Sequence, residues 1–133
     1  MTTYEIVFDG GSRGNPGPSY GSFVLQVSGE PPARPVRLEF GRATNNEAEY
    51  LTLVAALENL LSILEAQGES AARVGLKIKG DSQLVIKQLQ GEWKAKNARL
   101  RALRDRVHDL LMHFGKVELR HQDRQDSVEV LGH

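Results

Sequence analysis

Asp9-Gly10-Gly11-Ser12-Arg13-Gly14-Asn15-Pro16-Gly17-Pro18 is the stretch on which the architecture turns. It follows Tyr4-Glu5-Ile6-Val7-Phe8, whose alternating Tyr4, Ile6 and Phe8 predict a strand with one buried face. The run itself is too rich in glycine and proline for a helix. It reads as a turn that leaves a carboxylate at the end of a strand. Asp9 then has two readings: an Asx-turn that bonds nearby backbone amides, or a charge presented in a cleft.

Outward from that turn, residues 20–27 predict a second strand, closed by the turn Ser28-Gly29-Glu30-Pro31-Pro32. Residues 36–40 predict a third, with Val36, Leu38 and Phe40 on one face and Arg37 and Glu39 on the other. Short connections imply an antiparallel meander. Residues 44–66 predict a helix, because Leu51, Val54, Leu57, Leu61 and Leu64 recur at spacings of three and four. After a polar loop over 67–72, Val74, Leu76 and Ile78 alternate as a fourth strand that ends at Gly80-Asp81. A short helix over 82–89 and the connector Gly91-Glu92-Trp93 follow. A longer helix then turns Leu100, Leu103, Val107, Leu110, Leu111 and Phe114 inward, with Gly115 closing it as the left-handed C′ residue. Val117 and Leu119 open a last strand. This order predicts an α/β fold: a mixed five-stranded sheet, three antiparallel strands and then parallel additions, with helices packed on it.

Composition narrows the function classes. A chain of 133 residues that is 40% hydrophobic has the apolar side chains for one domain with a real core. Basic and acidic residues balance at 17 each, so any nucleic-acid affinity must come from a local patch. With no cysteine, disulfides and thiolate metal sites are excluded. No apolar run approaches the roughly 18 residues of a membrane helix, and no secretory leader precedes the first strand. The expectation is a soluble, cytoplasmic monomer without a membrane partner.

Two more acidic positions sit at element junctions. In Thr44-Asn45-Asn46-Glu47-Ala48-Glu49-Tyr50, Thr44 and Glu47 have the capping-box spacing, which gives Glu47 a structural job. Glu49 has none. It lies one turn ahead of Leu53 and can face the sheet, where an unpaired carboxylate is expensive; the helix macrodipole is the alternative reason for a charge there. Asp81 lies on a strand-to-helix junction, where ligands gather in α/β folds, and Ser82 can cap the helix in its place. Three carboxylates from three element ends, with no histidine beside them, suggest a hard divalent cation such as Mg²⁺.

Together the Asp9 run, the Thr44–Tyr50 run and Gly80-Asp81-Ser82-Gln83-Leu84-Val85 resemble the signature segments of type 1 ribonuclease H, in family order. The resemblance covers residues 4 to about 120 and is greatest to small members without the basic protrusion. It implies the ribonuclease H-like fold in a single domain over 1–133. It also implies endonucleolytic hydrolysis of the RNA strand of RNA/DNA hybrids, by two Mg²⁺ ions about 4 Å apart, with Mn²⁺ as a substitute. Products would carry 5′-phosphate and 3′-hydroxyl ends. Asp9, Glu49 and Asp81 match catalytic, metal-binding carboxylates. Asn15, Thr44, Asn45, Asn46 and Gln83 match positions that touch the hybrid, where a 2′-hydroxyl distinguishes RNA from DNA.

Trp93, Lys94, Lys96, Arg99, Arg101, Arg104 and Arg106 form the local basic cluster. Trp93 and Lys94 read as substrate contacts to sugar and phosphate; for Trp93 a core anchor is the alternative. The histidines show no metal-ligand pairing.

The C-terminal segment, 121–133, departs from the family pattern Arg-x-x-Asn-x-x-Ala-Asp, whose aspartate is a fourth ligand. An ungapped match from Arg124 places Ser127 at the asparagine and Leu131 at the aspartate. One deletion instead places Glu129 at the acid, which makes Glu129 a further candidate catalytic and metal ligand. The chain is expected to stop before a final helix forms. A catalytically weak or silent domain of the same fold, binding nucleic acid or a partner protein, is the alternative to an active nuclease.

Overall fold

The molecule is represented by a computed structural model that describes residues 1–31 and 33–132; Pro32 of the predicted turn and the terminal His133 lie outside the described residues. Strands β1 (Thr2–Ser12), β2 (Gly17–Val27) and β3 (Val36–Ala43) precede helix α1 (Asn45–Ala66). A 3₁₀ turn (Ala71–Arg73) leads into β4 (Val74–Gly80), followed by α2 (Gln83–Leu89), α3 (Ala98–Leu111), β5 (Lys116–His121) and α4 (Arg124–Leu131). The sheet order is β3-β2-β1-β4-β5. β2 is antiparallel to both β1 and β3, whereas β1–β4 and β4–β5 are parallel, as the element order predicts.

Alternation along β1 sorts its side chains between two layers. Ile6 and Phe8 join Leu76 and Ile78 in a core closed by Leu53, Leu57, Leu60 and Leu64 of α1 and by Leu103, Val107 and Leu110 of α3. Val7 points to the other face, where it meets Val24 and the fully buried Leu131 of α4.

Gly10 and Gly21 are cross-strand partners on the α1 side of the sheet. A Cβ on Gly10 would come within 2.7 Å of the Ala48 carbonyl and the Glu49 nitrogen, and one on Gly21 within 1.8 Å of Thr52 Oγ1. The paired glycines make a depression into which the first turns of α1 sink. The capping box forms there as expected: Glu47 N–H donates to Thr44 Oγ1, and Thr44 N–H donates to Glu47 Oε1, both at 3.1 Å.

Several expectations need correction. β1 does not end at Phe8 but continues through Ser12, because Asp9 to Ser12 pair with residues 19–22 of β2. The α1 stripe is Leu53, Ala56, Leu57, Leu60 and Leu64; Leu51, Val54 and Leu61 are only partly buried, since that helix packs on the sheet and on α3 at once. Gly115 is not the left-handed stop of α3, which ends at Leu111 with Met112 as an αR cap. Its N–H bonds the Val74 carbonyl, and a Cβ would come within 2.3 Å of the Ala72 oxygen, so close backbone approach is what requires glycine. Val36 is 39% exposed because β3 is an edge strand. A final helix does form: α4 is short but anchored by Ser127 and Leu131, both buried. Among the described residues, no helix is long and apolar enough to cross a membrane.

Candidate active site

The parallel pairing of β1 with β4 ends at Phe8 opposite Gly80. Asp9 and Asp81 are the next residues on these strands, so both emerge where the sheet opens. The glycine depression brings the first turns of α1 down beside them and adds Glu49 from the helix side. Each of Asp9, Glu49 and Asp81 offers a carboxylate oxygen within 4.8 Å of the others, and all three are partly buried. Ser82 caps α2, its hydroxyl accepting from Val85 N–H at 3.3 Å, so Asp81 is not spent on that duty.

Glu49 carries the electrostatic strain of this trio. Its Oε2 is buried without a hydrogen-bond partner. Burial and, next, the Asp9 and Asp81 charges push its carboxyl up to about 8, against an opposing hydrogen bond from Ser82 and the Arg124 charge. A lone-pair-bearing oxygen held between two acids, with no donor of its own, is a fit for a bound divalent cation.

This has a measurable consequence. A carboxyl whose folded pKa exceeds its unfolded value of 4.5 supports the fold fully below pH 4.5 and withdraws that support as pH rises through about 8. In chelator, Glu49 should therefore destabilise the protein by on the order of 3 kcal/mol between pH 4 and pH 7. Glu49→Gln should flatten that decline, and Mg²⁺ should offset it in the parent while releasing a proton. Thermal melts from pH 4 to 8, with and without Mg²⁺, check this; a parallel decline in both proteins would refute it.

The region around the trio also contains basic groups that the sequence reading did not assign. Arg124, at the start of α4, lies with Nη1 3.5 Å from Asp81 Oδ2, and the His121 ring nitrogen is 3.2 Å from the Asp81 carbonyl. Neither was legible in the chain: His121 reaches this place because β5 pairs with β4 opposite Gly80, and Arg124 because α4 starts just beyond that strand end.

The residues matched to substrate contacts form two groups. Asn15 Oδ1 accepts from Asn45 N–H at 3.0 Å, and Asn45 Oδ1 accepts from Ser12 N–H at 2.8 Å. These bonds tie the β1–β2 turn to the start of α1, beside Thr44 and Asn46. The carboxamide oxygens are spent internally, which leaves the amide N–H groups for a ligand. Gln83 is exposed on the first turn of α2. Trp93, 44% exposed, is not a core anchor; it and Lys94 project from the connector before α3. Part of the basic face of α3 is neutralised, since Arg99 pairs with Glu47 at 3.1 Å and Arg104 with Asp105 at 2.9 Å.

Glu129 is not in the acidic trio. It is exposed on α4, while Leu131 occupies the inward position four residues after the buried Ser127. Ser127 Oγ accepts from Gln122 Nε2 at 2.9 Å, which pins α4 to the end of β5. Leu131 packs against Val7 and Val24, so its burial belongs to the second apolar cluster.

Comparison with known proteins agrees with this geometry. Residues 38–130 match the family described as "Reverse transcriptase-like". Ribonuclease HI of Halobacterium salinarum is 43% identical over 121 residues, which cover 88% of this chain and 55% of that protein. The chain thus spans about half the length of this curated relative. The crystal structure of RNase H1 from the halophilic archaeon Halobacterium salinarum superposes with a TM-score of 0.82 at 37% identity, covering 96% of this chain and 91% of that one. LC11-RNase H1 in complex with an RNA/DNA hybrid superposes at 0.83 with 27% identity, covering 96% and 90%.

Proposed function

Because the chain belongs to the type 1 ribonuclease H family, we propose that it hydrolyses the RNA strand of RNA/DNA hybrids in a reaction dependent on divalent cations. The observation that carries the proposal is the trio itself: three converging carboxylates, one with a buried oxygen that nothing in the protein satisfies. Asp9 would be the shared ligand, with Glu49 and Asp81 holding the flanks. Two bound Mg²⁺ ions would supply an activated water and charge stabilisation for the leaving 3′-oxygen of an in-line displacement. The products are then a 5′-phosphate and a 3′-hydroxyl.

The chain's own residues do the rest. Gly10 and Gly21 fix the height of α1, and therefore of Glu49, above the sheet. The amide groups of Asn15, Asn45, Asn46 and Gln83 read the minor-groove side of the hybrid, where a 2′-hydroxyl marks RNA. Trp93 and Lys94 hold the backbone further along. All of these groups come from one chain, so the monomer is the proposed active unit.

With Glu129 outside the acidic trio, the site is read as a three-carboxylate one, with one flank short of a ligand. Turnover should accordingly be low in Mg²⁺ and several-fold higher in Mn²⁺, which binds a given ligand set more tightly. Cleavage of a labelled hybrid, of duplex DNA and of duplex RNA, in each metal and at rising salt, tests the proposal. Hybrid alone should be cut, and hybrid affinity should fall steeply with salt as phosphate contacts release counterions. Equal cutting of hybrid and duplex DNA would remove the 2′-hydroxyl discrimination. Binding of hybrid without cleavage in either metal would make the chain a silent domain of its family.

A further inference from the structure

On the face of the sheet that carries Asp9, away from α1, lies a groove of about 600 Å³ lined by Arg13, Tyr20, Ser22, Arg37, Leu38 and Glu39. Its position follows from strand register. Asp9 pairs with Ser22 and Gly11 with Tyr20, so the Tyr20 ring sits one side-chain repeat beyond Asp9 on the same face, roughly 7 Å along the strand. The ring lies over Gly11, where an added Cβ would come within 2.8 Å of the Tyr20 hydroxyl, and it is still 43% exposed. β3 contributes Arg37 opposite Ser22 and Glu39 opposite Tyr20.

The groove carries two arginines and one glutamate. Arg99, Arg104, Arg106, Arg120 and Arg124 each pair with an acid, but no ion pair engages Arg13 or Arg37 among the described residues. An exposed aromatic face between two unpaired guanidinium groups is the chemistry that holds a nucleotide: the ring stacks on a base and the guanidiniums take phosphates. Glu39 adds a hydrogen-bond acceptor, which suits a 2′-hydroxyl or an exocyclic amine.

We propose that this groove binds an unpaired nucleotide of the RNA strand, continuous with the segment cut at Asp9. The inference rests on the hybrid-nuclease reading for the identity of the strand. Continuity selects RNA over DNA, because Asp9 and Tyr20 are neighbours on one sheet face and the strand at Asp9 is the one cleaved. The groove therefore gives the enzyme a preference for hybrids whose RNA runs beyond its DNA partner.

The test uses the full chain and four hybrids: blunt, extended by a few unpaired nucleotides at the RNA 5′ end, at the RNA 3′ end, or on the DNA strand. One RNA-tailed substrate should show a KM roughly tenfold below that of the blunt hybrid, the size expected for one stacked base. The DNA tail should give no such gain. Tyr20→Ala should abolish the tailed-to-blunt ratio, Tyr20→Phe should keep it, and Arg13→Ala with Arg37→Ala should reduce it. Thermal melts establish that each variant is folded. The proposal is overturned if no RNA tail lowers KM, if the DNA tail lowers it equally, or if Tyr20→Ala retains the ratio. Should the blunt hybrid not be cut at all, the nuclease reading fails on its own. Fluorescence anisotropy of the same hybrids in chelator would then still decide whether the groove prefers an RNA tail.

Discussion

Asp9→Asn should abolish hybrid cleavage, lowering kcat by at least about a thousandfold, and leave the fold intact. The substitution is nearly isosteric and the side chain is only partly buried, so packing is preserved. What changes is charge at the point where three carboxylates converge within 4.8 Å. Without a cation, loss of one negative charge relieves Glu49, so the chelated protein should melt no lower than the parent. With Mg²⁺ the order should reverse, because only the parent gains stability from a bound cation. The two melts separate a catalytic loss from a folding loss. Glu129→Gln, made alongside, should be nearly silent, as that side chain is exposed on α4 outside the trio. Near-parent turnover of Asp9→Asn in Mg²⁺ would contradict the shared-ligand role.

The second large effect is expected from a residue with no side chain. Gly10→Ala places a Cβ 2.7 Å from the Ala48 carbonyl and the Glu49 nitrogen, a contact that neither backbone can relieve by a rotamer change. The start of α1 must lift away from β1, at a cost of about 1–3 kcal/mol for overpacking. Glu49 rises with it. Misplacement of a reacting group by about 1 Å costs on the order of a hundredfold in rate, so kcat should fall by that much in protein that is still folded at the assay temperature. Metal affinity, read by calorimetry, should weaken in parallel. A lowered melting temperature with unchanged kcat and metal affinity would show that α1 can shift without carrying Glu49 out of place.

Much of this architecture was legible from local pattern. Period-two alternation at Tyr4, Ile6 and Phe8, the capping-box spacing of Thr44 and Glu47 and the inward residues of α3 each encode an element through its nearest neighbours in sequence. Asp9, Glu49 and Asp81 stood out for the same reason, as charges at element ends that no local structural duty explained. Gly115 and the extent of α4 did not read correctly, and the sequence left Trp93 open between a surface contact and a core anchor. The exposure of an aromatic, the approach of a distant carbonyl and the room beneath a short terminal helix depend on what packs against each one.

By itself, then, the sequence determined the kinds and order of elements and the acidic positions, because strand alternation, helix periodicity and capping act over a few residues. Only the tertiary structure decided that three acids far apart in the chain share one site, that Gly10 and Gly21 are the seat on which Glu49 is set, and that Leu131 rather than an acid faces inward from α4. It also decided that Glu49 is costly to ionise, for its oxygen loses water only when β1, α1 and β4 close around it. Burial and proximity are properties of that closure, and no stretch of the chain contains them.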